Sequence, residues 1–216
     1  GSEISMFYDP MIAKLITTAD NREQAIDRMT VALNSFQING VNHNIDFLSA
    51  VMANPRFQKG KFNTGFIAEE FPSGFSGTEL SEEIKNRMYS IATVFAYNRD
   101  LRNKTISGQI NLARRAGFKE TTSFCVSIFK ENQRINLRLE HTDDAYIVSH
   151  EKGTSRVRGS CNLGAKRFEG FVDDIGMTVQ VEQSGSRCRL KYNGCELNVT
   201  LVPSRFSDLV ELMPVK

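Results

Sequence analysis

Residues Met88 to Tyr97 read Met-Tyr-Ser-Ile-Ala-Thr-Val-Phe-Ala-Tyr, and no other stretch limits the fold as much. They lie within a segment that reads as a helix from about Glu82 to Arg102. Ser81 offers an N-cap, and Glu82 and Glu83 place negative charge in the first turn, where the helix dipole favours it. Ile84, Met88, Tyr89, Ile91, Ala92, Val94, Phe95, Ala96 and Tyr97 cover most of the helix circumference rather than one stripe. A helix that is apolar all round is normally buried all round, so something must surround this one.

After residue 120 the apolar period switches to two. Strands are expected at Thr122–Phe129, Arg134–Glu140, Ala145–Glu151, Ser155–Gly159, Arg167–Val172, Met177–Gln183, Arg187–Tyr192 and Glu196–Val202. Turn residues separate them: Glu131-Asn132, Asp143-Asp144, Lys152-Gly153, Asp174 to Gly176 and Ser184-Gly185. Asn193-Gly194 between Tyr192 and Cys195 is a strong hairpin signal. Eight strands suit a closed barrel just wide enough for side chains or one ligand. The preceding apolar helix is the expected filling. Leu209, Val210, Leu212 and Met213 form a short tail before Pro214.

The first 75 residues have another character. Ser5 to Thr17 mixes β-branched and aromatic residues around Tyr8-Asp9-Pro10, and one or two short strands are expected there. Asn21 followed by Gln24 is a capping-box-like start. Ile26, Met29, Leu33 and Phe36 then mark one face of a helix. Ile45, Leu48, Val51 and Met52 mark a second helix, stopped before Pro55. Thr64 can cap a short third one running to Phe71. Residues 72–79, Pro-Ser-Gly-Phe-Ser-Gly-Thr-Glu, read as a linker. The overall class is α+β: a helical and short-strand part over 1–75, then a helix and barrel over 76–213, with 214–216 beginning a further linker. Gly1-Ser2 opens the chain in place of Met, and Ile4 to Leu15 already reads as the middle of an element, so a piece of a longer chain is expected.

Chemistry is sparse. There is no Gly-x-Gly-x-x-Gly, no Walker lysine loop and no Gly-x-Ser-x-Gly elbow. His43, His141 and His150 lack partners at catalytic or ligand spacing, and His43, between Asn42 and Asn44, reads as a loop or helix-capping residue. Asp143-Asp144 and Asp173-Asp174 fall in turns, where aspartate bonds its local backbone. Cys125, Cys161, Cys188 and Cys195 form no Cys-x-x-Cys pair, so reduced thiols are expected rather than a disulfide framework or zinc site. A net charge of +2 implies no polyanion partner, and no run approaches a membrane span of roughly 18 apolar residues. The segment from Arg99 to Lys119 stands out. It holds Arg99, Arg102, Lys104, Arg114, Arg115 and Lys119 against the single acid Asp100, and residues 103–120 lack periodicity. Long aperiodic loops are often functional, and docking to a partner protein fits better than nucleic acid, since aromatics are few.

Tyr8-Asp9-Pro10-Met11-Ile12-Ala13-Lys14-Leu15-Ile16 resembles the last part of the biotin carboxylase C-terminal subdomain. Asn21-Arg22, Ala25-Ile26, Arg28-Met29, Ala32-Leu33, Gly40-Val41, Asn44-Ile45 and the Asn54, Arg56-Phe57, Gly60 series continue the pattern over about residues 4–71. His43-Asn44-Ile45 and Phe71-Pro72-Ser73-Gly74-Phe75-Ser76-Gly77 resemble the propionyl-CoA carboxylase α-subunit family of biotin-dependent acyl-CoA carboxylases. That family carries a BT domain, a long helix inside an eight-stranded antiparallel barrel, before its biotin carrier domain. Leu212-Met213-Pro214 resembles the lead into that carrier.

The resemblance implies an intact ligase that uses ATP, with Mg or Mn, and bicarbonate to carboxylate biotin. Carboxybiotin then passes to a carboxyltransferase β subunit that converts propionyl-CoA to methylmalonyl-CoA. It also implies that the BT domain docks α onto β, partly through a hook between helix and first strand. Here that hook would be residues 103–121, with Arg114, Arg115 and Phe118 as contact candidates. Asp9 is a candidate for orienting an arginine from upstream; its ordinary reading is a turn-fixing residue before Pro10. The ATP-grasp body and the carrier lysine are absent, Lys216 after Pro214-Val215 not being that motif. No catalytic, cofactor or metal site is therefore expected within these residues, and the chain alone is expected to be inactive and unbiotinylated. The implied compartment is bacterial cytoplasm or mitochondrial matrix, with no membrane partner. The alternatives are a methylcrotonyl-CoA carboxylase α subunit and a small-ligand-binding barrel.

Overall fold

The structure is a computed structural model that describes residues 7, 9, 11–38, 40–75, 77, 80–105, 123–130, 133–142, 144–151, 153–162 and 164–212. Four helices come first: α1 (Arg22–Ser35), α2 (Ile45–Ala53), α3 (Pro55–Gln58) and α4 (Phe66–Glu70). The long helix α5 (Glu82–Thr105) follows. Eight strands come next: β1 (Ser123–Lys130), β2 (Gln133–His141), β3 (Tyr146–His150), β4 (Gly153–Ser160), β5 (Arg167–Val172), β6 (Ile175–Ser184), β7 (Arg187–Tyr192) and β8 (Cys195–Pro203). A 3-10 turn (Ser204–Phe206) and a last short helix, α6 (Ser207–Glu211), end the described chain. The α+β class read from the sequence holds.

Each strand pairs antiparallel with the next, and β1 also pairs with β8, setting Ile128 opposite Leu201 and closing the sheet. Alternation decides which residues turn inward. Met177, Val179 and Val181 of β6, Cys188 and Leu190 of β7, and Leu197, Val199 and Leu201 of β8 are buried, while the residues between them are more exposed. These side chains form one cluster with Met88, Ile91, Ala92, Val94 and Phe95 of α5. The helix packs against β1, β2, β3, β4, β7 and β8. Ser90 and Thr93 are buried on α5 as well, and each returns its hydroxyl to its own helix, to the Asn86 and Tyr89 carbonyls at 2.9 and 2.8 Å. Burial of each large apolar side chain contributes roughly 1.5–3 kcal/mol, so the enclosed helix is the main source of cohesion in this half of the chain.

Local chemistry explains most element ends. Asn21 Oδ1 accepts from Gln24 N at 2.9 Å and starts α1, and Ser81 Oγ accepts from Ile84 N at 3.3 Å and starts α5. Asp173 and Asp174 take positive φ in the β5–β6 turn, and Asp173 Oδ1 accepts from Arg156 N at 2.8 Å.

Two expectations need correction, the strand near the start and the Thr64 cap, and two others gain detail. Residues 11–17 form no strand, because every described strand belongs to the barrel and none lies alongside to complete a ladder. Pro55 stops α2 but also opens α3 as its first residue, where a missing N–H costs nothing and Asn54 caps the turn. Gly65, not Thr64, stands at the start of α4. The tail before Pro214 is helical over Ser207–Glu211, held to the barrel where Arg134 donates to the Ser207 hydroxyl and, at 2.9 Å, to Asp208 Oδ1.

Candidate functional site

Two surfaces concentrate the polar and apolar features of the helical part. The first is its junction with the barrel. Helix α1 ends in an extended Phe36, whose N–H closes the Leu33 carbonyl at 3.3 Å but leaves the Asn34 carbonyl without a helical partner. Gln180 of β6 supplies partners, its Nε2 donating to Asn34 O at 3.2 Å and Phe36 O at 3.1 Å. The buried Asn34 side chain meets one residue with both its ends. Its Oδ1 accepts from Asn193 N at 3.0 Å, and its Nδ2 donates to Asn193 Oδ1 at 2.8 Å. Gln37 Nε2 donates to Lys166 O at 2.7 Å, and Lys191 Nζ pairs with Asp46 Oδ2 at 3.0 Å. Burial pushes the neighbouring Tyr192 phenol above its usual value, against the opposing pull of an Asn193 hydrogen bond and the Arg87 charge.

The second surface is a groove of about 800 Å³ between residues 9–15, α1 and α2. Met11, Leu15, Met29, Leu33, Leu48 and Met52 line it, with Asp9 and His43 also at its wall. His43 Nδ1 accepts from Ile45 N at 3.4 Å, so it serves as a weak cap of α2, where Asn44 makes no side-chain cap bond. Asp9 is exposed, and its carbonyl accepts from Met11 N at 2.7 Å. The other three candidates, Arg114, Arg115 and Phe118, lie outside the described residues.

Charged groups elsewhere hold structure together. Arg56 bridges Glu69 at 2.7 Å and Glu70 at 2.6 Å, and Asn54 Nδ2 donates to Glu70 Oε2 at 2.8 Å. The bonds from Asn54 and then Arg56 hold the Glu70 carboxyl below its ordinary value. Tyr97, His141 and Tyr146 cluster at one place on the barrel, the last two stacked with ring centres 4.5 Å apart. Burial raises the Cys161 and Cys188 thiols to about 12, which keeps them un-ionised at neutral pH. Among the described residues no three His, Cys, Asp or Glu side chains gather to hold a metal. The first surface holds the helical unit to the barrel through the bonds of Asn34, Gln37, Gln180 and Lys191.

Sequence reasoning passed over Asn34 and Gln180 and read Asn193-Gly194 only as a turn. Nothing in the local pattern marks a helical asparagine as the partner of a hairpin 159 positions away.

The structure is thus a helical unit seated on a barrel built around one helix. Residues 1–69 match the family model of the biotin carboxylase C-terminal domain, which assigns the helical unit to the biotin carboxylase class. Residues 88–216, more than half of the chain, match the model of the propionyl-coenzyme A carboxylase BT domain. The chain therefore belongs to the propionyl-CoA carboxylase α-chain family. A propionyl-CoA carboxylase alpha chain from Ruegeria pomeroyi is 37% identical over 218 residues, covering 100% of this chain and 31% of the relative. A mitochondrial one from Caenorhabditis elegans is 32% identical over 230 residues, again with 100% and 31% covered. A biotin carboxylase from Halalkalibacterium halodurans is 45% identical over 67 residues, which is 31% of this chain and 15% of that protein. The chain thus spans 30–31% of the length of the alpha chains it matches from Ruegeria pomeroyi, Caenorhabditis elegans and Sus scrofa.

Proposed function

We propose that this chain is the non-catalytic docking part of a propionyl-CoA carboxylase α subunit. In this reading residues 1–75 end the biotin carboxylase C-terminal subdomain, 76–213 are the BT domain, and 214–216 begin the link to a biotin carrier domain. The barrel holds α against a carboxyltransferase β subunit, and the segment 103–121 carries the hook, with Arg114, Arg115 and Phe118 in contact. Charges at the rim of such a contact steer and orient docking, and Phe118 buries apolar area. Biotin, ATP, Mg or Mn and the carboxylation of propionyl-CoA belong to the whole enzyme, in bacterial cytoplasm or the mitochondrial matrix. Asp9 serves there as a positioning residue for an arginine of the carboxylase body.

The observation that carries this reading is the BT-domain match over residues 88–216, on a barrel whose interior is taken up by α5. Met88, Ile91 and Val94 fill the volume a ligand would need, which counts against a ligand-carrying barrel. The propionyl-CoA carboxylase names of the relatives count against a methylcrotonyl-CoA carboxylase subunit. The test is calorimetric titration of this chain with purified propionyl-CoA carboxylase β subunit, beside the Arg114→Glu/Arg115→Glu variant. Binding that the double variant weakens supports the reading; a folded chain that binds no β subunit, alone or joined to its carboxylase body, sinks it.

A further inference from the structure

The Asn193-Gly194 turn does more than reverse the chain between β7 and β8. Three independent features converge on it and its surroundings. The Asn34 amide is buried on α1, a position that costs free energy unless both its ends are satisfied, and Asn193 satisfies both. The Phe36 N–H closes the Leu33 carbonyl, and Gln180 of the barrel takes up the next free ones, at Asn34 and Phe36. Gly194 sits at φ +76°, and a Cβ placed there would lie 2.3 Å from the Asp46 carbonyl oxygen and 3.2 Å from Ala50 N. The turn is thus pressed directly on the backbone of α2.

A hairpin alone requires none of this. Type I′ turns accept Asn, Asp or Gly at the first central position, since each tolerates positive φ. We infer that the β7–β8 turn is a recognition key read by the helical unit. Asn34 is its receptor residue, and the backbone of α2 at Asp46 and Ala50 is the wall that admits only glycine at 194. The partner this surface fits is a tight Asn-Gly turn, supplied by the same chain. Its consequence is that helical unit and barrel move as one body, so whatever docks on the barrel is oriented relative to the helical unit. The inference stands whichever molecule the barrel binds.

The test is amide hydrogen exchange on the whole 216-residue chain. Asn193→Gly keeps the turn and removes the acceptor for Asn34 Nδ2. Asn193→Asp keeps the turn, the acceptor and the backbone donor. The expected result is exchange about tenfold faster in the last turn of α1 and in α2 for Asn193→Gly, with α5 and the barrel strands at parental rates. Asn193→Asp should stay parental throughout. Asn34→Ala, which removes both bonds, should match or exceed Asn193→Gly; should it fail to fold, the pair at 193 decides alone. Equal exchange in α1 and α2 for the Gly and Asp variants would overturn the inference. So would acceleration of helices and barrel to the same degree, since that reports a turn needed only for barrel stability.

Discussion

Two glycines of one barrel measure how tightly the two halves are joined. Gly185 in the β6–β7 turn has φ +57° and Gly194 in the β7–β8 turn has φ +76°, so alanine meets left-handed backbone strain at both. That strain costs roughly 1–2 kcal/mol per residue. At Gly185 a Cβ finds nothing within 4 Å, so Gly185→Ala should cost the strain alone. At Gly194 the same atom lies 2.3 Å from the Asp46 carbonyl oxygen, and the turn must retreat by about 1 Å to reach ordinary contact. Retreat stretches both bonds between Asn34 and Asn193. Leaving a buried amide unsatisfied costs about 1–3 kcal/mol. The partly exposed Lys191–Asp46 pair adds at most about 1 kcal/mol. Gly194→Ala should therefore destabilise by about 2–6 kcal/mol and Gly185→Ala by about 1–2 kcal/mol. Urea unfolding followed by circular dichroism gives both values. Equal losses, within about 0.5 kcal/mol, would refute the packing argument, because only contact with α2 separates the two sites.

Ile91→Ala removes a fully buried side chain of α5 and should cost about 2–5 kcal/mol, lowering the thermal midpoint by several degrees in calorimetry. Glu70 is held below its ordinary value, first by the Asn54 bond and then by Arg56, so these bonds stabilise the fold above that ordinary value and the contribution fades as pH falls through the lowered one. Glu70→Gln should therefore be less stable than the parent in thermal melts at pH 7 and converge with it toward pH 3; a gap independent of pH would contradict the assignment. Cys161 and Cys188, with thiols raised to about 12, should resist iodoacetamide at pH 8 and react only after denaturation, as peptide mass mapping would reveal.

The barrel half was legible because its signals are local and redundant. Period-two runs over Arg167–Val172 and Arg187–Tyr192 coincide with β5 and β7 to the residue, and Asn193-Gly194 marks its turn. The circumferential apolar run identified α5 as an enclosed helix, although its end extends to Thr105, three residues into the segment read as the hook. The helical half was less legible. β-branched composition suggests one or two short strands over 5–17, of which residues 11–17 form none; a strand exists only beside a neighbour, and composition carries no information about neighbours. Pro55 does stop α2 as its place in the sequence implies; that it also opens α3 depends on the Asn54 cap, because a proline that ends one helix and one that begins the next look identical in sequence. Of the candidate site, His43 was readable from its position among asparagines, and the structure makes it a cap. The Asn34–Asn193 pair was not readable, since a contact across 159 positions leaves no periodic trace.

A barrel whose interior is one continuous helix divides its residues between two kinds of constraint. The inward half of each strand must match α5, and a change there is felt by the whole interior. The outward half, with Arg158, Glu169, Glu182, Arg189 and Glu196 among its exposed or half-exposed members, matches no part of that helix. Its ion pairs are solvent-facing and individually worth little. Away from Gln180, Lys191 and the Asn193-Gly194 turn, where the helical unit sits, substitutions can therefore accumulate on the outer wall at low thermodynamic cost, and a lineage can rewrite that part to suit a new surface while the helix keeps the inner wall unchanged.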